Sequence, residues 1–420
     1  MGESMSHVSD QKQALLRCTV LNWTADRLYP RATTDALPDS VLLETFEFYL
    51  GKDYADEINY GHNYDGWPTL VHVCRRWRCI AFVECSKVLG PKLYCTRQRS
   101  VNSKTLDIWP TLPIVIFAED MQSKEGATNA IAALGHHNQV CKIYYRKWRF
   151  QDSLLEEFAA MDEPFLALTR LQLASFQQRK VPVLPDSFLG GSAPRLRSLR
   201  LNGIPYPSVG ELLSSTADLV RLSLCRIPHS GYFLPETIVP CLSMLPRLES
   251  LELGFQHPRS RAHRASRHPP PFTRVALPNL TFLDFSGDTE YLEDILSQVE
   301  TPALNRSFFF FNQIVFDTPL LGHFIRRMER FTTTHTARVG FFSWAVRVTL
   351  WGRLRGEMAN HHRQALQLKI SCKPLGWQLS ALAQVLNSFL SSLPTLKSLV
   401  IAVSREDRQG EIEVIQWQEF

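Results

Sequence analysis

The sequence predicts an α+β protein, in which a small all-helical domain precedes a longer α/β solenoid with a curved parallel sheet. Three observations lead to this prediction. Two stretches between residues 35 and 95 carry apolar residues at helical spacing, and the pattern L-x-x-L-x-L returns from residue 168 onward. In addition, 45% of the 420 residues are hydrophobic, which excludes a wholly disordered chain.

The charge and the cysteine content exclude several classes of protein. There are 46 basic and 41 acidic residues, and a net charge of +5 is too small to indicate a nucleic-acid binder. The nine cysteines include no C-x-x-C pair, so we expect reduced thiols rather than disulfides or a zinc site. No apolar run approaches the roughly 20 residues that span a bilayer, and no secretory signal is visible. We therefore expect a cytoplasmic or nuclear protein that contacts no membrane and needs no cofactor.

The first predicted element is a helix that follows a polar segment. Residues 1–34 are expected to form a flexible N-terminal tail. The helix is expected to begin at Pro38, because proline at the first helical position loses only an amide that would lack a partner there. Its apolar face carries Val41, Leu42 and Phe46 at helical spacing.

A second predicted helix follows an insertion. The stretch 51–66 is rich in glycine, asparagine and acidic residues and has the composition of a loop. Pro68 then stands where a helix would begin. The apolar stripe of this helix consists of Leu70, Val73, Cys74 and Trp77, and the arginines between them are expected on its exposed side.

These helical stretches contain a recognisable pair of motifs. L-P-D-x-V-L-x-x-x-F at 37–46 followed by L-V-x-V-C-R-R-W at 70–77 resembles the F-box, and W-P-T-L-P-I-V-I at 109–116 is similar to a segment of fungal F-box proteins. The resemblance implies an F-box-like domain over residues 35–95 that docks on the Skp adaptor of a cullin-based ubiquitin ligase. It implies a docking motif made of Leu37, Pro38, Val41, Leu42, Phe46, Leu70, Val73, Cys74 and Trp77.

One feature departs from the family pattern. The two halves of an F-box usually lie closer together than they do here, where the loop 51–66 separates them. We expect this loop to project outward, because lengthening a loop adds little closure entropy. Whether it permits adaptor binding is left open by the sequence. The alternative is a two-helix packing unit that serves only as the N-terminal cap of a solenoid.

The remainder of the chain is repetitive. Copies of L-x-x-L-x-L start at Leu168, Leu196, Leu219, Leu248 and Leu280, and a further copy starts at Leu396. The first five starts are 28, 23, 29 and 32 residues apart, which is close to the period of a leucine-rich repeat. We therefore predict a leucine-rich-repeat solenoid over residues 96–420. The alternative is that these leucines belong to the core strands of another α/β fold.

Weaker signals lie between and after these copies. Residues 140–144 and 366–370 have strand-like patterns, and residues 209–215 and 291–299 have helical ones. The stretch 306–358 contains aromatic runs and no clean copy of the repeat, so its phase is not predicted.

Alternation along each predicted strand defines a candidate binding surface. The leucines of L-x-x-L-x-L face the core, and the residues around them face the open, concave side. The concave face is therefore expected to hold Arg170, Gln172, Arg200, Asn202, Arg221, Glu252, Phe282 and Asp284. Its first three strands are basic and the next two acidic, and concave solenoid faces often bind partners.

The sequence contains no recognisable catalytic motif. H-E-x-x-H, G-x-S-x-G, Walker A and dinucleotide-binding patterns are all missing, so neither an enzyme nor a metal site is predicted. Residues 256–274 form an arginine-, histidine- and proline-rich stretch that could attract an acidic partner. It lacks the interleaved aromatic residues of a nucleic-acid platform, so a solvated loop is the favoured interpretation.

The resemblance to the F-box, taken with the repeats, implies a non-catalytic subunit of a ubiquitin ligase. The F-box-like domain would dock the Skp adaptor and through it a cullin, and the solenoid would hold a protein substrate, whose identity is not predicted, near the ubiquitin carrier. The first alternative is a ligase-independent leucine-rich-repeat scaffold. The second, less favoured, is a nucleic-acid binder that uses the basic loop.

Overall fold

The computed structural model describes the chain in seventeen stretches. They are residues 37–50, 70, 72–83, 92–95, 101, 103–108, 112–119, 124–147, 156–157, 159–176, 181–256, 274–311, 319–327, 336–352, 363–372, 375–390 and 398–403. The chain divides into two compact units, Met1–Lys92 and Leu93–Phe420. The predicted tail, the inserted loop 51–66 and positions 257–273 of the basic loop lie outside the described residues.

The first unit contains two described helices, α1 (Asp39–Leu50) and α2 (Arg75–Val83). Two backbone amides in the first turn of α1 donate to the carbonyl of Pro38 at 3.1 and 3.2 Å, so α1 begins beside this proline. The ring of Phe46 packs on that of Trp77 with centroids 5.0 Å apart. This aromatic contact joins the two helices.

The second helix differs from the prediction. Leu70 has helical geometry, but a turn follows and α2 begins only at Arg75. The sulfur of Cys74 accepts a hydrogen bond from the backbone N–H of Trp77 at 3.4 Å, the position of an N-cap interaction. Because a new helix begins here, the predicted apolar stripe is interrupted, and Val73 is exposed rather than packed.

The second unit is built around one large sheet. Its described strands are β1 (Leu93–Cys95), β2 (Ile114–Glu119), β3 (Val140–Lys147), β4 (Arg170–Ser175), β5 (Ser198–Asn202), β6 (Arg221–Ile227), β7 (Ser250–Phe255), β8 (Val275–Ala276), β9 (Phe282–Gly287), β10 (Val299–Glu300), β11 (Arg306–Phe311), β12 (Thr336–Phe342), β13 (Ala345–Gly352), β14 (Arg363–Ser371) and β15 (Ser398–Val403). Thirteen of them form the order β1-β2-β3-β4-β5-β6-β7-β9-β11-β14-β13-β12-β15. Within the described part, every neighbouring pair is parallel except those that involve β13, which is antiparallel to β12 and β14. The strands β8 and β10 pair separately.

Helices alternate with these strands along the chain. They are α3 (Ser103–Ile108), α4 (Lys124–Leu134), α5 (Val209–Ser214), α6 (Pro235–Ser243), α7 (Thr289–Gln298), α8 (Pro319–Arg327) and α9 (Leu375–Leu390). Successive helices from α5 to α9 contact one another. The structure therefore confirms an α/β protein with a mostly parallel sheet interleaved with helices. None of the described helices is long and apolar enough to cross a membrane.

The leucines of the repeat lie in register across the sheet. One buried column consists of Leu171, Leu199, Leu222, Leu251 and Leu283. The next consists of Leu173, Leu201, Leu224, Leu253 and Phe285. Each repeat therefore adds one apolar residue to each column, which is why the period of the sequence predicts the strands correctly.

A further copy of the repeat was not recognised in the sequence. Strand β11 pairs in parallel with β9, and Leu304 precedes it as Leu280 precedes β9. Ser307 and Phe309 occupy the two leucine columns in this copy. Because neither is a leucine, the copy does not match L-x-x-L-x-L.

Two other features differ from the predicted arrangement. The hairpin of β12 and β13 lies between β14 and β15, so the copy that starts at Leu396 is not the next strand after β14. In addition, β1 already belongs to the sheet, although its residues were assigned to the F-box-like domain 35–95. A three-residue strand carries too little periodicity to be recognised from sequence.

A buried carboxylate connects α7 to α8. Glu293 is 1% exposed, and its two oxygens accept the backbone N–H groups of Leu320 and Leu321 at 2.8 and 2.7 Å. These amides lie at the start of α8, where the helix itself offers them no acceptor. The positive end of the helix dipole further favours a negative charge there.

We expect Glu293→Ala to lower the free energy of unfolding by about 2–3 kcal/mol, since charged hydrogen bonds to buried groups contribute on this scale. Urea denaturation followed by circular dichroism measures this. The exposed Glu249→Ala serves as the control and should change the value by less than about 0.5 kcal/mol. Equal effects of the two substitutions would contradict the capping role of Glu293.

Candidate functional site

The predicted motif residues of the helical unit fall into two groups, and the residues of the first group pack inside the unit. Leu42, Phe46 and Leu70 are buried, and Cys74 and Trp77 are partly buried. These five residues therefore hold the unit together rather than offer a contact surface.

The second group is exposed and apolar. Leu37 and Val41 are each 40% exposed, Val73 is 53% exposed, and Pro38 is exposed as well. We call these four residues the motif surface. Exposed apolar groups of this kind mark interaction sites when they lie together, because leaving them in water is unfavourable.

An ion pair orders one part of this surface. The guanidinium of Arg76 donates to Oδ1 of Asp39, with Nε at 2.9 Å, and also to the backbone carbonyl of Leu37. Arg76 was expected to point away from the packing, and the sequence gives no signal that pairs it with Asp39. The bond to the carbonyl holds the first residue of the motif against α2.

The residues predicted for the concave face lie on one side of the sheet. They alternate with the buried leucine columns, and all are partly or fully exposed: Arg170, Gln172, Arg200, Asn202, Arg221, Glu252, Phe282 and Asp284. We call this side the polar face. Pairing of the strands arranges these side chains in rows, so residues far apart in sequence become neighbours.

Two rows carry most of the charge. The first contains Arg170, Ser198, Arg221, Ser250 and Phe282. The second contains Gln172, Arg200, Ser223, Glu252 and Asp284. The first row is basic on β4 and β6 and aromatic on β9, and the second row is basic on β5 and acidic on β7 and β9.

The basic end of the polar face includes an aromatic neighbour. Partial burial and the charge of Arg221 lower the pKa of Arg170 to about 10, and Nη1 of Arg170 lies 3.4 Å from the hydroxyl oxygen of Tyr144. The ring of Tyr144 stacks on Phe117 at 4.7 Å. Arg170 and Arg221 lie in the same row, two strands apart, and an anionic group above them would offset the repulsion between their charges.

The acidic centre contains two carboxylates on adjacent strands. Burial and the neighbouring Glu252 raise the pKa of Asp284 to about 6. The hydroxyl of Ser223 donates to Oε2 of Glu252 at 2.6 Å. Ser223 is therefore covered and only 7% exposed, although its position in the strand predicted an open side chain. Burial also raises the pKa of the adjacent Cys225 thiol to about 12, so this thiol is not an activated nucleophile.

An open pocket adjoins the acidic centre. It has a volume of about 340 Å³, and its lining includes Asp284, Phe308, Phe310, Trp344 and Lys369. The ammonium nitrogen of Lys369 lies 3.5 Å from the centroid of the Trp344 ring, and Phe310 meets the same ring edge-on at 6.2 Å. The pocket thus combines aromatic walls with one group of each charge.

Sequence reasoning did not identify this pocket. Its aromatic residues come from β11 and from the turn between β12 and β13, both within the stretch 306–358 whose phase was not predicted. The runs Phe308–Phe311 and Phe341–Trp344 were the available signal. They could not be assigned to a face until the register of β11 was known.

The described residues form no cluster suited to a metal ion. Within the described stretches, no three His, Cys, Asp or Glu side chains are placed to hold a metal ion. The polar face offers fixed charges, aromatic rings and hydrogen-bonding groups. Most of the basic loop 256–274, on which nucleic-acid binding was hypothesised, lies outside the described residues, so that hypothesis stays a prediction.

Comparison with known proteins does not assign this chain to a family. No protein-family model matches this chain, and no curated protein matches it significantly.

The raised pKa of Asp284 predicts a pH-dependent loss of stability. The Asp284 carboxyl binds its proton more tightly in the folded protein than in the unfolded chain. The contribution of the protonated carboxyl to stability is therefore fully present below about pH 4 and is lost as the pH rises through about 6. We expect Asp284→Asn, which cannot ionise, to be more stable than the wild type at about pH 7.5, by on the order of 1–2 kcal/mol.

Urea unfolding of both proteins at about pH 4 and at about pH 7.5 measures this difference. The two proteins should have similar stability at the lower pH. If the difference between them does not depend on pH, the environment assigned to Asp284 is wrong.

Proposed function

We propose that this protein is the substrate-recognition adaptor of a Skp–cullin–F-box ubiquitin ligase. In this proposal the helical unit is an F-box that docks a Skp-type adaptor. The sheet unit is a leucine-rich-repeat solenoid, and its polar face is the concave surface that binds a protein substrate.

One observation supports adaptor docking above all. The motif residues divide between packing and exposure, and the exposed group consists of apolar side chains. A motif that served only to pack two helices would have no reason to leave Val41 and Val73 in solvent. An apolar protein partner would bury them and gain about 25 cal/mol for each Å² of apolar surface removed from water.

The repeated local structure supports the solenoid assignment. In every copy whose first leucine the structure describes, a turn brings the amide of that leucine back to the carbonyl three residues earlier, as in Leu196 to Ala193 and Leu248 to Leu245. A parallel strand follows each turn, and helices occupy several of the connections. Turn, strand and helix returning at 23–32 residues are the elements of a leucine-rich repeat.

The proposed mechanism requires no covalent chemistry from this chain. The helical unit fixes the protein on the ligase, and the polar face fixes the substrate. Transfer of ubiquitin is then accelerated because the substrate lysine is held at a high effective concentration near the ubiquitin carrier. This is the function of a non-catalytic subunit.

Co-purification of the full chain with a Skp-type adaptor tests the proposal. We expect wild-type protein to bind and the double variant V41E/V73E to bind at least tenfold more weakly, because it places two charges in an apolar interface. Both substituted positions are exposed, so the variant should keep its circular dichroism spectrum and melting temperature. Leu166→Glu, at a position 50% exposed in the sheet unit, is the matched control and should bind normally.

Failure of the wild-type chain to bind the adaptor while folded would refute the proposal. Unfolding of V41E/V73E would instead indicate that these residues are covered within the protein. That result would favour the alternative in which the helices only cap the solenoid.

A further inference from the structure

The polar face changes its character in a fixed order across the sheet. Arginines lie on β4, β5 and β6, the carboxylates of Glu252 and Asp284 lie on β7 and β9, and Phe308 lies on β11 in the lining of the pocket, on the same strand as Arg306. This order of basic, acidic and aromatic groups runs across the strands rather than along any one of them.

The spacing of the groups matches an extended polypeptide. Neighbouring strands lie about 4.8 Å apart, so three steps from Arg200 to Asp284 cover roughly 14 Å. An extended chain advances about 3.4 Å per residue, so about four residues span this distance. The aromatic pocket begins one strand later, which corresponds to one or two further residues.

We propose that the polar face binds an extended segment of a partner protein that crosses the strands. The segment carries an acidic side chain above Arg200 and its neighbours, a basic side chain about four residues away at Glu252 and Asp284, and an apolar or aromatic side chain one or two positions beyond it in the pocket. Naming this partner a substrate rests on the proposed ligase function, whereas the binding pattern does not.

The acidic centre favours a cation from the partner. Asp284 faces the like charge of Glu252 in a partly desolvated position, and Arg306 and Lys369 are the basic residues beside it in the sheet and the pocket. Lys369 already lies on the ring of Trp344. A basic side chain of the partner would offset the repulsion between the carboxylates and lay its aliphatic stem on aromatic rings.

The same centre disfavours a nucleic acid. A phosphate backbone needs a continuous row of basic groups. Here Glu252 and Asp284 interrupt the row that Arg200 begins, and they would repel a phosphate at the middle of the face. A polypeptide can alternate its charges to match this pattern.

Fluorescence anisotropy of the full chain with labelled synthetic peptides tests the proposal. The probe is a glycine- and serine-rich peptide of about 14 residues that carries glutamate, arginine four positions later and phenylalanine two positions after that, made in both chain directions. A second peptide exchanges the glutamate and the arginine, and a third scrambles the same composition. We expect one direction of the ordered peptide to bind at least tenfold more tightly than both comparison peptides.

The charge-swapped variant R200E/D284R supplies the matched test. It should prefer the exchanged peptide over the ordered one, and a reversed preference cannot arise from partial unfolding. Equal binding of all three peptides by the wild type, or an unreversed preference in the variant, would overturn the inference.

Adaptor binding measured on the same samples separates the two proposals. Peptide discrimination without adaptor binding would leave this inference standing and count against the ligase function. Adaptor binding without discrimination among the peptides would overturn this inference alone.

Discussion

A continuous ladder of backbone hydrogen bonds sets the register on which the sheet unit depends. At the start of each successive strand, one N–H donates to the equivalent carbonyl of the preceding copy, at 2.8–2.9 Å. The ladder runs through Cys141, Thr169, Arg197, Val220, Glu249, Thr281 and Asn305. Because side chains alternate along a strand, a slip of one residue at any step would move the leucines to the solvent side and the charges into the core.

The ladder also creates the polar face. The copies differ in length, from 23 to 32 residues, yet their strands begin in the same register. The extra residues of the longer copies must therefore lie in the connections between strands. Residues such as Arg200, Glu252 and Asp284 are distant in sequence and neighbours in space for this reason alone. The order of basic, acidic and aromatic groups across the face thus follows from the order of the strands.

Within the sheet unit, the strands that keep the leucine pattern could be predicted from sequence, whereas strand β11 and the aromatic pocket could not. The leucine columns and the face opposite them follow from a period that survives in five copies. Strand β11 was missed because Ser307 and Phe309 replace leucines, and the pocket was missed because Trp344 lies on a hairpin outside the repeat. The N-cap at Cys74 was not predicted, because a cysteine at helical spacing normally indicates a packed residue.

We propose that one chain uses two surfaces, the motif surface for the adaptor and the polar face for the partner. Hydrogen–deuterium exchange of the full chain with and without a Skp-type adaptor tests it most directly. We expect slower exchange in residues 37–50 and 72–83 on adaptor binding, with unchanged exchange in strands β4–β9. Protection of β4–β9 by the adaptor, or no protection of the helices in a complex that forms, would contradict it.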